Sequence, residues 1–408
     1  GTLEMAEAKK KVVTIVGGGS SAHVLIPFLS GAGLEVNILT RRPGEWSKEI
    51  ELQLHSIHSE VLETFNGSLT EISGDPAQVI PQADYIIMCM PVCKYRMALH
   101  HLAPHVNRRE GVFIGTIYGQ AGFNWMVDEI KKEFRLDKVV TFAVGLIPWV
   151  CRFIEYGKVG VTYGCKAVNV VAVSPPERFE DLNEELLKNI CERWLNKGAF
   201  EQSKSFLSLT LSVDNQIIHP SRCYQLFLNH GGKWATKEDI PYFYRDFDEP
   251  SADQLRDLDA DYSKVREAIK AKYPEKDFRY MLNYLALERL SYQSENSDIR
   301  ESFATSATLG AIKPPTVQQE DGSWAIDTNH RFFTDDIGYG LCITKWMADQ
   351  LGLTVPTIDR IIDWVQVLRN EKLIEGDKLL LDSEDITTKF KSGIPPVYGM
   401  QTIDDVVD

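Results

Sequence analysis

The sequence predicts an α/β protein: an N-terminal Rossmann-type doubly wound parallel sheet, followed by a C-terminal, mostly α-helical domain. Three observations carry this prediction. Short β-branched runs alternate with helical patterns from Lys11 to about Ser174. A glycine triplet follows the first of those runs directly. Beyond about Ser205, helical periodicity replaces the strand signals.

The apolar runs at 11–16, 34–39, 84–90, 111–116 and 138–143 are short and bounded by Gly, Pro or polar residues. They read as strands buried on both faces. Amphipathic stretches at 23–31 and 124–133 lie between them, and strand–helix–strand repetition implies parallel pairing. The Val-rich segment 159–173 adds further strands before a helix at 181–197. Helices follow at 206–228, 252–272, 278–292, 337–351 and 357–368, with a last short one at 383–389 that Ser383 would cap. The chain therefore divides into a dinucleotide-binding domain, 9–205, and a helical domain, 206–408. Its 408 residues exceed what one ordinary core holds, in line with two domains of roughly 150–250 residues.

Hydrophobic residues make up 44% of the chain and charged residues 25%, as in a globular protein. The formal charge of −14 argues against nucleic acid as a partner, because phosphate backbones need clustered basic surface. No apolar run approaches the roughly 20 residues that span a bilayer. Gly1-Thr2-Leu3-Glu4 ahead of Met5 reads as an expression scar, and Glu7 and Lys9-Lys10-Lys11 precede no apolar signal core. The seven cysteines form no CxxC pair, so reduced thiols in a cytoplasmic protein are expected, and no His/Cys spacing suggests a metal.

The turn Gly17-Gly18-Gly19-Ser20-Ser21-Ala22 joins the first strand to an apolar helix. Gly17 permits the tight turn, Gly19 admits a pyrophosphate close to the backbone, and Ala22 lets the helix pack on the strand. Ser20 completes the phosphate-facing set. The second strand ends in Thr40-Arg41-Arg42, where an acid for the ribose hydroxyls is usual. Thr40 with Arg41 suits the 2′-phosphate of NADP; stacking of Arg41 on adenine, or plain solvation, is the alternative. Pro91 falls at the carboxyl edge of the sheet, either lining the nicotinamide or simply ending a strand.

Nicotinamide chemistry on small acids needs a proton-transfer group, and histidine is the usual one. Of nine histidines, His100, His101 and His105 lie on a polar helix, His55 and His58 in a polar stretch, and His230 at a Gly231-Gly232 turn. His219 differs, with apolar neighbours before it and Pro220 after it, which would kink the helix. Its pattern fits a buried structural histidine as well as a catalytic one. Arg331, ahead of Asp335 and Asp336, suits a substrate carboxylate. The competing reading caps a helix with Thr334 and sets the two acids against its dipole.

These landmarks together resemble the opine dehydrogenase family, in its octopine/nopaline dehydrogenase branch, with tauropine, alanopine or strombine dehydrogenases among its types. The resemblance covers nearly the whole chain after Lys11. It rests on the Gly17–Ala22 turn, Gly119-Gln120-Ala121-Gly122-Phe123, Leu146-Ile147-Pro148-Trp149-Val150-Cys151-Arg152, Ile218-His219-Pro220, Arg331–Asp336 and Tyr398-Gly399-Met400-Gln401-Thr402-Ile403-Asp404. It implies reductive condensation of an amino acid's amine with a 2-oxo acid such as pyruvate, using NADH, with NADPH allowed by Thr40-Arg41-Arg42. It makes His219 the proton-transfer residue, Arg331 the carboxylate site and Asp336 their acidic partner. Gln120, Cys151 and Tyr284 would lie by the substrate. The chain departs from arginine-using relatives in having Val144-Gly145-Leu146-Ile147 where they carry a glutamate before Pro-Trp, which favours a small neutral or anionic amine such as alanine, glycine, β-alanine or taurine. Two other readings stay open: an NADP-dependent hydroxyacid or ketopantoate-type dehydrogenase, and a non-enzymatic dinucleotide sensor.

Overall fold

A computed structural model describes residues 9–294, 303, 311–388 and 390–407. The segment Gly1–Leu3 with Glu4, Met5 and Glu7 lies outside them, as does Lys389 at the end of the predicted last helix.

Five buried apolar runs form the parallel heart of an eight-stranded sheet: β1 (Val12–Val16), β2 (Glu35–Leu39), β6 (Tyr85–Met88), β7 (Phe113–Thr116) and β8 (Val140–Val144). With β3 (Glu49–His55), β4 (Val61–Ser68), β5 (Ile72–Ser73), β9 (Trp149–Glu155), β10 (Val159–Cys165), β11 (Val168–Ser174) and β12 (Ala199–Ser203), the main order is β12-β11-β8-β7-β6-β1-β2-β5. The order reverses between β1 and β6, which opens a crevice at their carboxyl ends. β11 runs antiparallel to β8, so one flank of the sheet is mixed.

A second sheet, β4-β3-β10-β9, was not foreseen. β4 is largely exposed, so its residues show no alternation of buried and solvated positions from which to read a strand. This sheet packs on the Ala22–Gly31 helix and carries residues 49–68 and 149–165 to the cofactor side.

The C-terminal half is mostly helical, with helices at Asn215–His230, Glu249–Lys272, Tyr284–Tyr292, Cys342–Gln350 and Pro356–Arg369. Several expectations need correction. The predicted 206–228 helix is two, Phe206–Leu211 and Asn215–His230, because Asp214 caps the second and Ser212 turns away to donate to Tyr280 O. The 181–197 helix is three short pieces, and the 278–292 helix starts only at Tyr284, where Asn283 caps it. Strands do occur beyond residue 205: a three-stranded sheet and a two-residue hairpin, too short to register as periodic runs. Pro220 lies inside the Asn215–His230 helix. Ser383 does cap Glu384–Thr387, its side chain accepting from Asp385 N.

Candidate active site at the sheet edge

At the end of β1 the chain must turn sharply beneath β6. Gly17 adopts φ +99°, and a Cβ there would stand 2.3 Å from Cys89 O, so only glycine fits. At Gly19 a Cβ would meet nothing closer than Cys89 O at 3.6 Å, which leaves its outer side open. Ala22 is fully buried as the first helical residue. Among the described residues, no protein acceptor takes the N–H groups of Gly18, Gly19, Ser20 and Ser21. Four free donors at a helix N-terminus fit a dinucleotide diphosphate. Thr40 is buried at the end of β2, and its Oγ1 accepts from Arg42 N at 3.2 Å. Arg41 is exposed, whereas Arg42 pairs with Glu45 at 3.1 Å and lies 4.2 Å over the Tyr156 ring. Cys151 sits beside Cys89, close to this turn, and burial raises its thiol to about 12.

Across the crevice, His219 lies about one turn into the Asn215–His230 helix. Its Nδ1 is 2.8 Å from Asp336 Oδ2, and both residues are buried. Phe332 stacks on the imidazole with centroids 3.6 Å apart, and Phe243 meets it edge-on at 5.9 Å. Burial, reinforced by the neighbouring Arg331 charge, lowers the imidazole to about 3. Burial disfavours charge on both partners, raising the Asp336 carboxyl well above its usual range, and the bond through Nδ1 leaves Nε2 turned away from Asp336. Arg331 is exposed and has no ion-pair partner among the described residues, so its guanidinium is available to an incoming carboxylate.

Thr334 does not cap the helix that carries the two acids. His330 does, accepting from Phe332 N, so the helix begins at Arg331 and widens to a π-helix over Thr334–Leu341. The wide turn directs consecutive acids to different targets. Asp336 meets His219. Asp335 reaches the other half of the chain, where its carboxylate accepts from Cys93 N at 3.0 Å and Val92 N at 3.2 Å. Pro91, exposed, immediately precedes those two amides.

Gln120 is buried, and its Nε2 donates to Gly145 O and Leu209 O at 3.0 Å each and to Ser212 O at 3.4 Å, while Oε1 has no partner. Gly145 and Ser212 line a cavity of about 20 Å³ together with Lys166, Asn169, Leu287 and Ser291. Asn169 is 4% exposed with neither amide atom bonded, and Lys166 donates to Ile147 O. Tyr284 is buried on the helix face shared by Leu287 and Ser291. The site residues thus fall into three groups: the glycine turn with Thr40 and Cys151; the His219–Asp336 pair with Arg331; and the cavity that Gln120 and Tyr284 flank.

The sequence reading missed Tyr118, on the loop after β7. It lies near Asp214 and Asp336, which with burial hold its hydroxyl well above the usual phenol range. Its position after a strand of the sheet, at the carboxyl edge, was the available signal. His23 and Trp46 were missed as well. Both are buried, and nothing in their local sequence marks them.

Residues 202–369 match the family described as NAD/NADP octopine/nopaline dehydrogenase, alpha-helical domain. The chain is 26% identical over 415 aligned residues to an opine dehydrogenase of Haliotis discus hannai, covering 98% of this chain and 99% of that protein. It is 25% identical to a tauropine dehydrogenase of Arabella iricolor, over 97% and 100% of the two. A solved octopine dehydrogenase structure with NADH and L-arginine shares the fold at a TM-score of 0.81 and 22% identity, covering 98% of both chains.

Proposed function

We propose, from its similarity to opine, tauropine and octopine dehydrogenases, that this chain joins the amine of an amino acid to a 2-oxo acid such as pyruvate and reduces the imine with NADH. The observation that carries the reading is the His219–Asp336 pair beside Arg331, which has no ion-pair partner among the described residues, set across the crevice from the glycine turn. NADH supplies the hydride. The chain's own residues bind, orient and move protons.

The donors of Gly18, Gly19, Ser20 and Ser21 would hold the diphosphate, with Gly17 and Ala22 shaping the turn, and Thr40, Arg41 and Pro91 bordering the adenosine and nicotinamide ends. Arg331 would fix the oxo-acid carboxylate through a two-pronged hydrogen bond. An amino acid arrives as an ammonium ion and attacks only once it has lost a proton. His219 Nε2 would take that proton with Asp336 ionised beside it, the carboxylate stabilising an imidazolium that burial otherwise disfavours. After attack the nitrogen would pass a second proton to the carbonyl oxygen, and the proton held by His219 would complete its departure as water, leaving the protonated imine that hydride reduces. Arg41 would also admit the 2′-phosphate of NADPH.

The cavity that Gln120 flanks supports an amine without positive charge. None of its ten described lining residues is acidic, and Lys166 and Asn169 offer donors instead. A small neutral or anionic amine, such as alanine, glycine, β-alanine or taurine, suits these groups. Incubation with pyruvate, NADH and an amine panel tests the reading. Arginine as best substrate would overturn the amine preference, and oxo-acid reduction without any amine would replace the reaction itself.

We further propose the domain division at 205/206, supported by the change from sheet to helix there. Action in the cytoplasm is proposed from seven free cysteines. Among the described residues, no helix is long and apolar enough to cross a membrane.

A further inference from the structure

Trp46 follows β2 and packs against the glycine turn. Trp46 is 6% exposed, yet its Nε1 has no hydrogen-bond partner among the described residues. Trp234 and Trp364 also keep an unbonded Nε1, and Trp46 differs from them in standing beside the glycine turn, where a ligand can supply the acceptor. A Cβ built on Gly18 would stand 3.4 Å from this Nε1, 3.0 Å from Trp46 Cζ2 and 2.4 Å from Tyr156 Oη. The indole edge and the phenol hydroxyl therefore crown Gly18, the first of the four residues whose N–H groups have no protein acceptor.

The wall that holds Trp46 comes from the second sheet. His23, on the helix opened by the turn, is fully buried and bridges two backbones. Gly157 N donates to its Nε2 at 2.9 Å, so the ring proton is on Nδ1, which donates to Gly19 O at 2.9 Å. Gly157 is wedged so closely that a Cβ there would stand 2.2 Å from Glu45 O. Trp46 lies 4.7 Å from the His23 ring and 5.4 Å from Tyr156, centroid to centroid. One histidine thus pins the glycine turn to the Tyr156-Gly157 bend, and Trp46 is packed against both.

We propose that Trp46 is a cofactor-binding residue, its indole N–H donating to a phosphate oxygen of the dinucleotide, and that His23 is the positioning residue that fixes its wall. The inference rests on the dinucleotide reading above.

Trp46→Phe in the full chain removes the N–H and keeps an aromatic ring. Calorimetric titration should show Kd for NADH and for ADP raised about tenfold, the scale of a lost hydrogen bond to a charged group, with Kd for adenosine unchanged and Tm not lowered by more than a degree or so. Unchanged Kd for NADH and ADP would overturn the proposal. So would an equal loss for adenosine and ADP, which would make Trp46 a base-stacking residue. If Trp46→Phe fails to fold, benzothienylalanine at position 46 keeps the indole shape without the N–H and takes the same readouts. Wild-type protein that binds neither NADH nor NADPH would instead overturn the dinucleotide reading, and this inference with it.

Discussion

Asp336 Oδ2 lies 2.8 Å from Nδ1 of His219, although 117 residues separate them in the chain. The carboxylate fixes the ring so that Nε2 faces away from it. Asp336→Asn should keep the packing while removing the ionisable carboxyl that a protonated imidazole needs beside it. Steady-state kinetics should show kcat lowered roughly 100-fold or more, with KM for NADH unchanged. His219→Ala should cost about as much, and the double variant little further, because the two act as a unit. Additive losses would separate their roles.

Arg331 has an exposed guanidinium and no protein partner among the described residues. Arg331→Lys keeps the charge and loses the fork. KM for pyruvate should rise about tenfold or more while thermal stability holds. An unchanged KM would place the oxo-acid carboxylate elsewhere.

Asp335 links the two halves of the molecule through Val92 N and Cys93 N. Asp335→Ala should cost roughly 1–3 kcal/mol by leaving two amides without their acceptor. Differential scanning calorimetry should register a lower Tm. Its kinetic effect should be smaller than that of Asp336→Asn, although the two residues are adjacent.

Arg42 is already engaged by Glu45 and Tyr156, so Arg41 is the guanidinium left for a 2′-phosphate. Arg41→Ala should weaken NADPH far more than NADH if Arg41 meets that phosphate. Equal effects on both cofactors would assign it to the adenine or to solvent.

Burial lowers the His23 imidazole below its ordinary 6.5, partly opposed by its bond to Gly19 O. A protonated ring would present a second N–H to the Gly157 amide. With the folded value below the unfolded one, the stability that His23 contributes is fully present above about pH 6.5 and is lost as pH falls through the folded value. Thermal melts and NADH titrations across pH 4.5–7.5 should both weaken on the acid side. His23→Gln, which can still donate and accept, should shrink that acid dependence.

The main sheet and the glycine turn were legible because the signals are local: buried strands are continuous apolar runs, and only glycine tolerates the turn at Gly17. His219, Arg331 and Asp336 were legible as residue types, but His219 read equally as a structural histidine until Asp336 was found beside it. Asp335 and Thr334 read as helix-capping residues, and the π-helical turn sent Asp335 across the crevice instead. Trp46 and His23 had no signal at all, since what distinguishes them is an unpaired N–H and two backbone partners brought from distant segments. The sequence by itself determined the alternation that makes an α/β sheet, the dinucleotide turn and the helical second half, because each depends on neighbours within one element. Only the tertiary structure decided which acid holds the imidazole, which one ties the halves together, and which buried donor lacks a partner, because hydrogen bonding and desolvation are set by residues that the chain keeps far apart and the fold brings within 3 Å or so.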